Sequence, residues 1–222
     1  MAETISAGPA GLSQQQEEAA FYHEAALNAA WTGSRLMIGI ITSAIGAFIF
    51  AFFYLRSLNS HGLWYPAGFS GPKQWQGDTI MGLVVASALL QGAGLRQLKA
   101  GKKGAWFGAA TLALILGAAG GAMQIWQLAA LPFQPGVNGF ASVFVGSSPV
   151  LATLVLGCMV WLETLVMRSR RIADVSFVVQ PPTFADAAEV QRFQASLSAF
   201  TLFWNFIALA SVVMWVLFYL VH

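Results

Sequence analysis

Few side chains in this chain combine a reactive type with a position where they could do chemistry. In membrane-bound redox proteins histidines ligate haem or copper, and here the histidines are His23, His61 and His222. All three fall in the termini or in a loop, so no two can face each other across a helix bundle. The single cysteine, Cys158, excludes a disulfide framework and a cysteine-built metal site within the chain. We therefore expect this chain to bind no haem and no metal of its own.

Polar residues inside the apolar runs are the remaining candidates. Glu163 lies just before an arginine cluster. We expect its carboxylate to pair with an interfacial arginine rather than to carry protons. Gln124, Gln127 and Asn205 are each expected to hydrogen-bond a neighbouring helix, which contributes about 0.6 to 2 kcal/mol. Because the sequence offers no chain of ionisable groups at membrane depth, a proton pump or an ion-coupled transporter is disfavoured.

The composition indicates which elements must position these residues. Of the 222 residues, 57% are hydrophobic and 9% charged, and the mean hydropathy is +0.66. A soluble domain carries roughly 25% charged residues, so this chain is predicted to lie in a membrane. The stretch from Gly139 to Arg171 is almost uninterruptedly apolar, ends in three arginines and exceeds the ~20 residues that cross a bilayer. Its small polar residues, among them Ser147 and Ser148, are typical of a helix that packs on other helices.

The hydropathy pattern predicts an all-α, polytopic bundle of five transmembrane helices. In the third helix, Gly117 and Gly121 stand four residues apart and predict a close-packing surface. The predicted spans are residues 36–55, 79–95, 105–131, 139–167 and 197–221, within a membrane domain of residues 35–222.

Two polar segments flank these spans. Residues 1–34 are predicted to carry a surface helix that Ser13 and Gln16 open as a capping box and that ends near Ala30, the alternative being a disordered tail. The segment 172–194 is predicted to be a loop, broken by Pro181 and Pro182, with a short surface helix from Ala185.

The basic residues predict the orientation of the bundle. Nine of the eleven lysines and arginines fall in the N-terminal segment and in the second and fourth connections, and two, Arg56 and Lys73, fall on the opposite side. Lysine and arginine favour the cytoplasmic side, so the N-terminus is expected in the cytoplasm and the C-terminus outside. The nine are Arg35, Arg96, Lys99, Lys102, Lys103, Arg168, Arg170, Arg171 and Arg192.

Five segments resemble subunit III of the haem–copper (cytochrome c) oxidases. Residues 142–157 resemble its S-V-F-x-x-x-T-G-F-H-G-x-H-V-x-x segment without a gap, and residues 203–207 resemble its Y-W-H-F-V-D segment. Residues 53–56 are similar to its Y-F-Y-L-R, residues 64–66 to its W-P-P, and residues 124–127 occupy the place of its G-Q-x-x-E turn. The resemblance covers about residues 36–221, and five spans match the shorter bacterial form of that subunit.

The departures from the family pattern remove ionisable residues. Where the family has histidine, aspartate or glutamate inside its spans, this chain has an apolar or a neutral side chain. A glycine of span four is also changed, to Pro149. The replaced ionisable positions are Leu151 and Leu154 in span four, Asn205 and Ala208 in span five, Gln127 in span three and Ala44 in span one.

The resemblance implies an accessory, non-catalytic subunit of a bacterial terminal oxidase in the inner membrane. It would pack against the haem-bearing subunit I, beside subunit II, and hold phospholipid. It would support electron transfer to oxygen and proton uptake, while haem and copper would be bound by the partner subunits. The electron donor, cytochrome c or quinol, stays open.

The alternative is a free-standing membrane protein, either a respiratory-complex assembly factor or a transporter component, although the latter is disfavoured because the sequence has no internal repeat. The implied packing or lipid-cleft residues are Gly117, Gly121, Ser147, Ser148 and Trp204, and the implied headgroup contacts, at about 1 kcal/mol each, are Arg96, Lys99, Arg168, Arg170 and Arg171.

Overall fold

The computed structural model of the chain describes residues 9–59, 61–172, 175–177 and 184–221. This described part is all-helical, without strands, and contains five helices long and apolar enough to cross a membrane. The predicted fold class and the predicted multi-pass membrane character are confirmed. The helices are α1 (Pro9–Leu58), α2 (Gln74–Lys99), α3 (Lys103–Ala129), α4 (Gly139–Arg171) and α5 (Phe184–Trp215), and α5 continues as a π-helix, Val216–Leu220.

The first helix is longer than predicted. A single 50-residue helix, α1, replaces the expected surface helix followed by a separate span. Its described part starts at Pro9, so Ser13 lies inside the helix and its assignment as a cap was wrong. Between Ala30 and the start of the span at Leu36 no residue is a strong helix breaker, since the one glycine there, Gly33, costs only about 1 kcal/mol. A helix of this length spans about 75 Å, so it extends well beyond a ~30 Å hydrocarbon core.

The last helix is also longer than its predicted span. Helix α5 begins at Phe184, so the surface helix expected from Ala185 is its first turns and not a separate element. Pro181, Pro182 and His222 lie outside the described residues.

The helix ends meet at two levels. At the first, Lys103 Nζ at the start of α3 donates to the carbonyl of Ile172 after α4 at 2.7 Å, and His23 in α1 lies 3.0 Å from Gln191 in α5. This level, where α3 and α5 begin, α2 and α4 end and α1 passes at His23, is called the basic end. At the opposite level Arg56 at the end of α1 donates to the carbonyl of Val221 at 2.6 Å.

An aromatic cluster closes this second level, called here the aromatic end. The Trp64 ring packs edge-to-face on Phe52 of α1 and Phe140 of α4, with centroids 5.0 and 5.9 Å away. Phe218 of the π-helix lies 5.0 Å from Phe144 of α4 and 5.9 Å from Phe52. The loop between α1 and α2 is therefore anchored on the bundle through its tryptophan.

Helix α1 is attached along a narrow stripe. Its core-facing positions alternate in steps of four and three, a heptad-like spacing that makes a single seam. In its most apolar window 17% of the residues are buried, against 33–50% in the other four helices. Most of the surface of α1 therefore faces away from the bundle. The seam within the span consists of Ser34, Ile38, Ile41, Ile45, Phe48 and Phe52.

Candidate functional site

Two glycines of α3 allow close approach of its neighbours. A Cβ on Gly117 would collide with the Sδ of Met159 in α4 and lie 3.1 Å from the hydroxyl of Ser87 in α2. A Cβ on Gly121 would lie 2.6 Å from a terminal methyl of Leu156 in α4. Both glycines are buried, so α3 contacts α2 and α4 through positions where a larger residue would have to displace a side chain.

The glutamines of α3 connect it to two other helices. Gln124 donates through Nε2 to the backbone carbonyl of Ser148 in α4 at 3.3 Å. Gln127 donates through Nε2 to the hydroxyl of Tyr219 in the π-helix at 2.7 Å. Ser147 is fully buried, and its hydroxyl donates to the carbonyl of Val143 one turn earlier in α4 at 2.8 Å. These polar groups all lie inside the bundle near the aromatic end.

Trp204 and Asn205 are neighbours in α5 that face opposite environments. Trp204 is completely buried in the core, whereas Asn205 is exposed and has no hydrogen bond to any described residue. The hydrogen bond predicted for Asn205 within this chain is therefore absent from the described part. Successive helical residues point about 100° apart, so a bundle-facing tryptophan directs the next side chain outward.

Glu163 does not have the arginine partner that the sequence suggested. Its side chain is exposed and makes no ion pair with any described residue. Arg168 instead lies 3.9 Å from Glu189 in α5, with both side chains about half exposed, and such a pair contributes about 0–1 kcal/mol. The reason is helical spacing, because side chains meet at separations of three or four residues and Arg168 is five residues beyond Glu163.

Basic residues end two of the helices at the basic end. Arg96 and Lys99 lie in the last turn of α2, and Arg168, Arg170 and Arg171 lie in the last turn of α4. Cations at a helix C-terminus are favoured by the helix dipole. The arrangement places five positive charges at one level of the bundle.

An apolar groove of about 400 Å³ lies between α1 and the α4–α5 pair, towards the basic end. The side of α1 is formed by small residues, including Gly33 and Ser34, and α4 faces it with Thr153 and Gly157. The Ser34 hydroxyl is buried and has no hydrogen-bond partner among the described residues. The walls are completed by Ala30, Met37, Leu154, Cys158, Trp161 and Phe203.

The residues that line the groove are not the residues that the resemblance implies for a lipid cleft. Gly117, Gly121, Ser147, Ser148 and Trp204 do not line the groove, and they lie inside the bundle instead. The sequence signal that could have located the groove is the helical spacing of the small residues Ala30, Gly33 and Ser34 on one face of α1.

The fold and these sites define an all-α, multi-pass membrane protein. Within the part of the chain that the structure describes, no three His, Cys, Asp or Glu side chains lie close enough to hold a metal ion. No protein-family model matches the chain, and no curated protein matches it significantly in sequence.

Proposed function

We propose that the chain is an accessory, non-catalytic subunit of a bacterial haem–copper terminal oxidase, similar to subunit III. The observation that carries the proposal is the packing of the resembling segments on each other. The segment 124–127 bonds to the segment 142–157 through Gln124 and the Ser148 carbonyl at 3.3 Å. Arg56, which ends the segment 53–56, and the Trp64 ring both contact the aromatic end of the same bundle.

The residues that replace the family's ionisable groups support a structural role. Leu151 and Ala208 are each 6% exposed and belong to the hydrophobic core, and Leu154 packs against it. Such positions contribute packing and no proton chemistry. A subunit of this kind would act by holding its neighbour and its lipids in place.

The outer surface of the bundle supports a partner within the membrane. Helix α1 leaves most of its circumference uncovered, and Asn205 presents an amide to the exterior in the middle of α5. Polar side chains in transmembrane segments almost always face protein or water rather than lipid. In this proposal subunit I of the oxidase, beside subunit II, covers part of this surface.

The groove supports the proposed phospholipid. Its walls are apolar and its volume falls within the ~300–1,000 Å³ of typical ligand sites. It opens towards the basic end, where Arg168, Arg170 and Arg171 place positive charge at about headgroup level. An acyl chain would lie against Trp161 and Phe203, and the headgroup would lie near the arginines.

The proposed orientation has the N-terminus in the cytoplasm, in the inner membrane of a bacterium. It is supported by nine basic residues on one side of the spans against two on the other. The matched variants Lys102→Cys and Lys73→Cys test it, because both lysines are exposed in opposite connections and the native Cys158 is buried. In intact spheroplasts an impermeant maleimide should label Lys73→Cys, and it should label Lys102→Cys only after permeabilisation. The reverse pattern would overturn the orientation.

The assembly role is tested by purifying the tagged chain from its native membrane in a gentle detergent. We expect mass spectrometry to find a large polytopic subunit in stoichiometric amount and the reduced-minus-oxidised spectrum to show haem bands. The control is an unrelated five-helix membrane protein with the same tag at the same abundance. A colourless preparation without that subunit would refute the oxidase assignment, and recovery with immature oxidase subunits only would favour an assembly factor.

A further inference from the structure

A small cavity of about 50 Å³ lies between α2, α3, α4 and α5 at the aromatic end. It is separate from the groove beside α1 and shares no lining residue with it. Its walls combine apolar residues such as Ile80 and Met214 with an unusual number of polar side chains for a space of this size. The polar lining consists of Gln124, Gln127, Ser148, Ser211 and Tyr219.

Several polar groups of this lining are left without protein partners. Ser211 donates its hydroxyl to a carbonyl of its own helix at 2.9 Å. The Ser148 hydroxyl, on a residue only 4% exposed, has no hydrogen bond to any residue that the structure describes. Gln124 and Gln127 each donate through their amide nitrogens, and their side-chain oxygens have no donor among the described residues. At least three hydrogen-bonding groups therefore need a partner at the cavity.

We propose that this cavity is a hydration site that holds a small cluster of water molecules. One water needs roughly 10–15 Å³ of such volume and two to four polar partners, so the cavity of about 50 Å³ has room for about three to five. The two amide oxygens and the Ser148 hydroxyl are not among the fully buried unpaired atoms of the described residues, so a water molecule can reach each of them and supply the missing hydrogen bond.

The π-helix builds one wall of the site. The Val221 amide donates to the Val216 carbonyl at 3.0 Å, five residues back, and the wider turn brings Leu217, Phe218 and Tyr219 to the interior in succession. The Tyr219 ring covers Gly77 of α2, where an added Cβ would collide with the ring. Such π-turns frequently occur at functional sites. Here the turn places the tyrosine hydroxyl at the cavity, beside Gln127.

A carboxylate adjoins the site from the outside. Trp215, which lines the cavity, donates its indole N–H to Asp78 Oδ1 at 2.9 Å, and Gln74 donates to the same oxygen at 2.9 Å. Asp78 is exposed and directly follows Gly77, another lining residue. A charged, hydrated group at this position gives the internal waters a route of exchange with the aqueous phase.

Radiolytic hydroxyl-radical footprinting of the full chain in nanodiscs tests the proposal, because the radicals form from water at the labelled site. Met214 and Met159 are a matched pair of buried methionines, 2% and 4% exposed, and only Met214 lines the cavity. We expect Met214 to be oxidised several times faster than Met159. Equal, slow oxidation of both would overturn the hydration site.

Variants of the lining provide the second arm of the test. In the Gln124→Leu/Gln127→Leu double variant the cavity loses its amides, and the rate at Met214 should fall to that at Met159. If the double variant does not fold, Ser148→Ala with Gln127→Met removes two of the polar groups at similar volume and should lower the rate in the same direction. Unchanged labelling of Met214 in a folded variant would show that the oxidant arrives by another route, which also overturns the proposal.

Discussion

The substitution Gly117→Leu tests whether close helix approach in α3 stabilises the bundle. The new side chain would have to displace Met159 and the hydroxyl of Ser87, which donates to the Ala113 carbonyl at 2.6 Å. Overpacking of a filled core costs about 1–3 kcal/mol, and loss of an interhelical hydrogen bond costs about 0.6 kcal/mol more. Replacing glycine in a helix regains about 1 kcal/mol of helix propensity, which a control must remove.

Gly108 provides that control on the same helix. It is exposed, and a Cβ there would meet nothing within 4 Å, so Gly108→Leu carries the propensity gain without the clash. The propensity contribution cancels between the two variants, so Gly117→Leu should be less stable than Gly108→Leu by about 1.5 to 3.5 kcal/mol.

The measurement is reversible unfolding in mixed micelles by increasing fractions of sodium dodecyl sulfate, followed by tryptophan fluorescence. Gly117→Ala should have a much smaller effect than Gly117→Leu, because a lone Cβ meets the flexible end of Met159, which can move. Equal free energies of unfolding for Gly117→Leu and Gly108→Leu would refute the close-packing role of Gly117.

Three further perturbations address other contacts. Tyr219→Phe removes the 2.7 Å hydrogen bond from Gln127 and should destabilise the bundle by about 0.6–2 kcal/mol. A double-mutant cycle with Gln127→Leu should show that the two substitutions are coupled, and additive free energies would contradict the contact. Gly157→Trp points into open space at the groove and should lower the phospholipid retained per chain in native mass spectrometry, whereas Gly46→Trp, also unobstructed, should not. Arg56→Met removes the 2.6 Å bond to the Val221 carbonyl and should speed amide exchange in residues 216–221 alone; unchanged exchange would show that the tether is dispensable.

The number of spans could be predicted from the sequence, but the helix ends could not. Each span contains a long apolar window, which follows from bilayer thickness and needs no knowledge of packing. The polar extensions of α1 and α5 carry no such signal. Each extension forms one continuous helix with its span. The two extensions contact each other through His23 and Gln191, and local composition does not show such a tertiary contact.

The candidate sites show the same division. That Gln124 and Gln127 would hydrogen-bond neighbouring helices follows from the cost of an unpaired amide in a membrane, but their partners depend on the rotation of each helix. The partner of Gln127 lies on a π-turn, for which the sequence has no pattern. Likewise, helical periodicity relates Asn205 to Trp204 but does not decide which of the two faces the core.

The uneven burial of the five helices bears on how the protein would act. Helices α2 to α5 share a core, and α5 is the most buried of them, whereas α1 is attached by one seam and by contacts through His23 and Arg56. An element with few buried contacts opens at a lower free energy than the core does. A partner or a lipid that covers α1 would therefore contribute most of its stabilisation there.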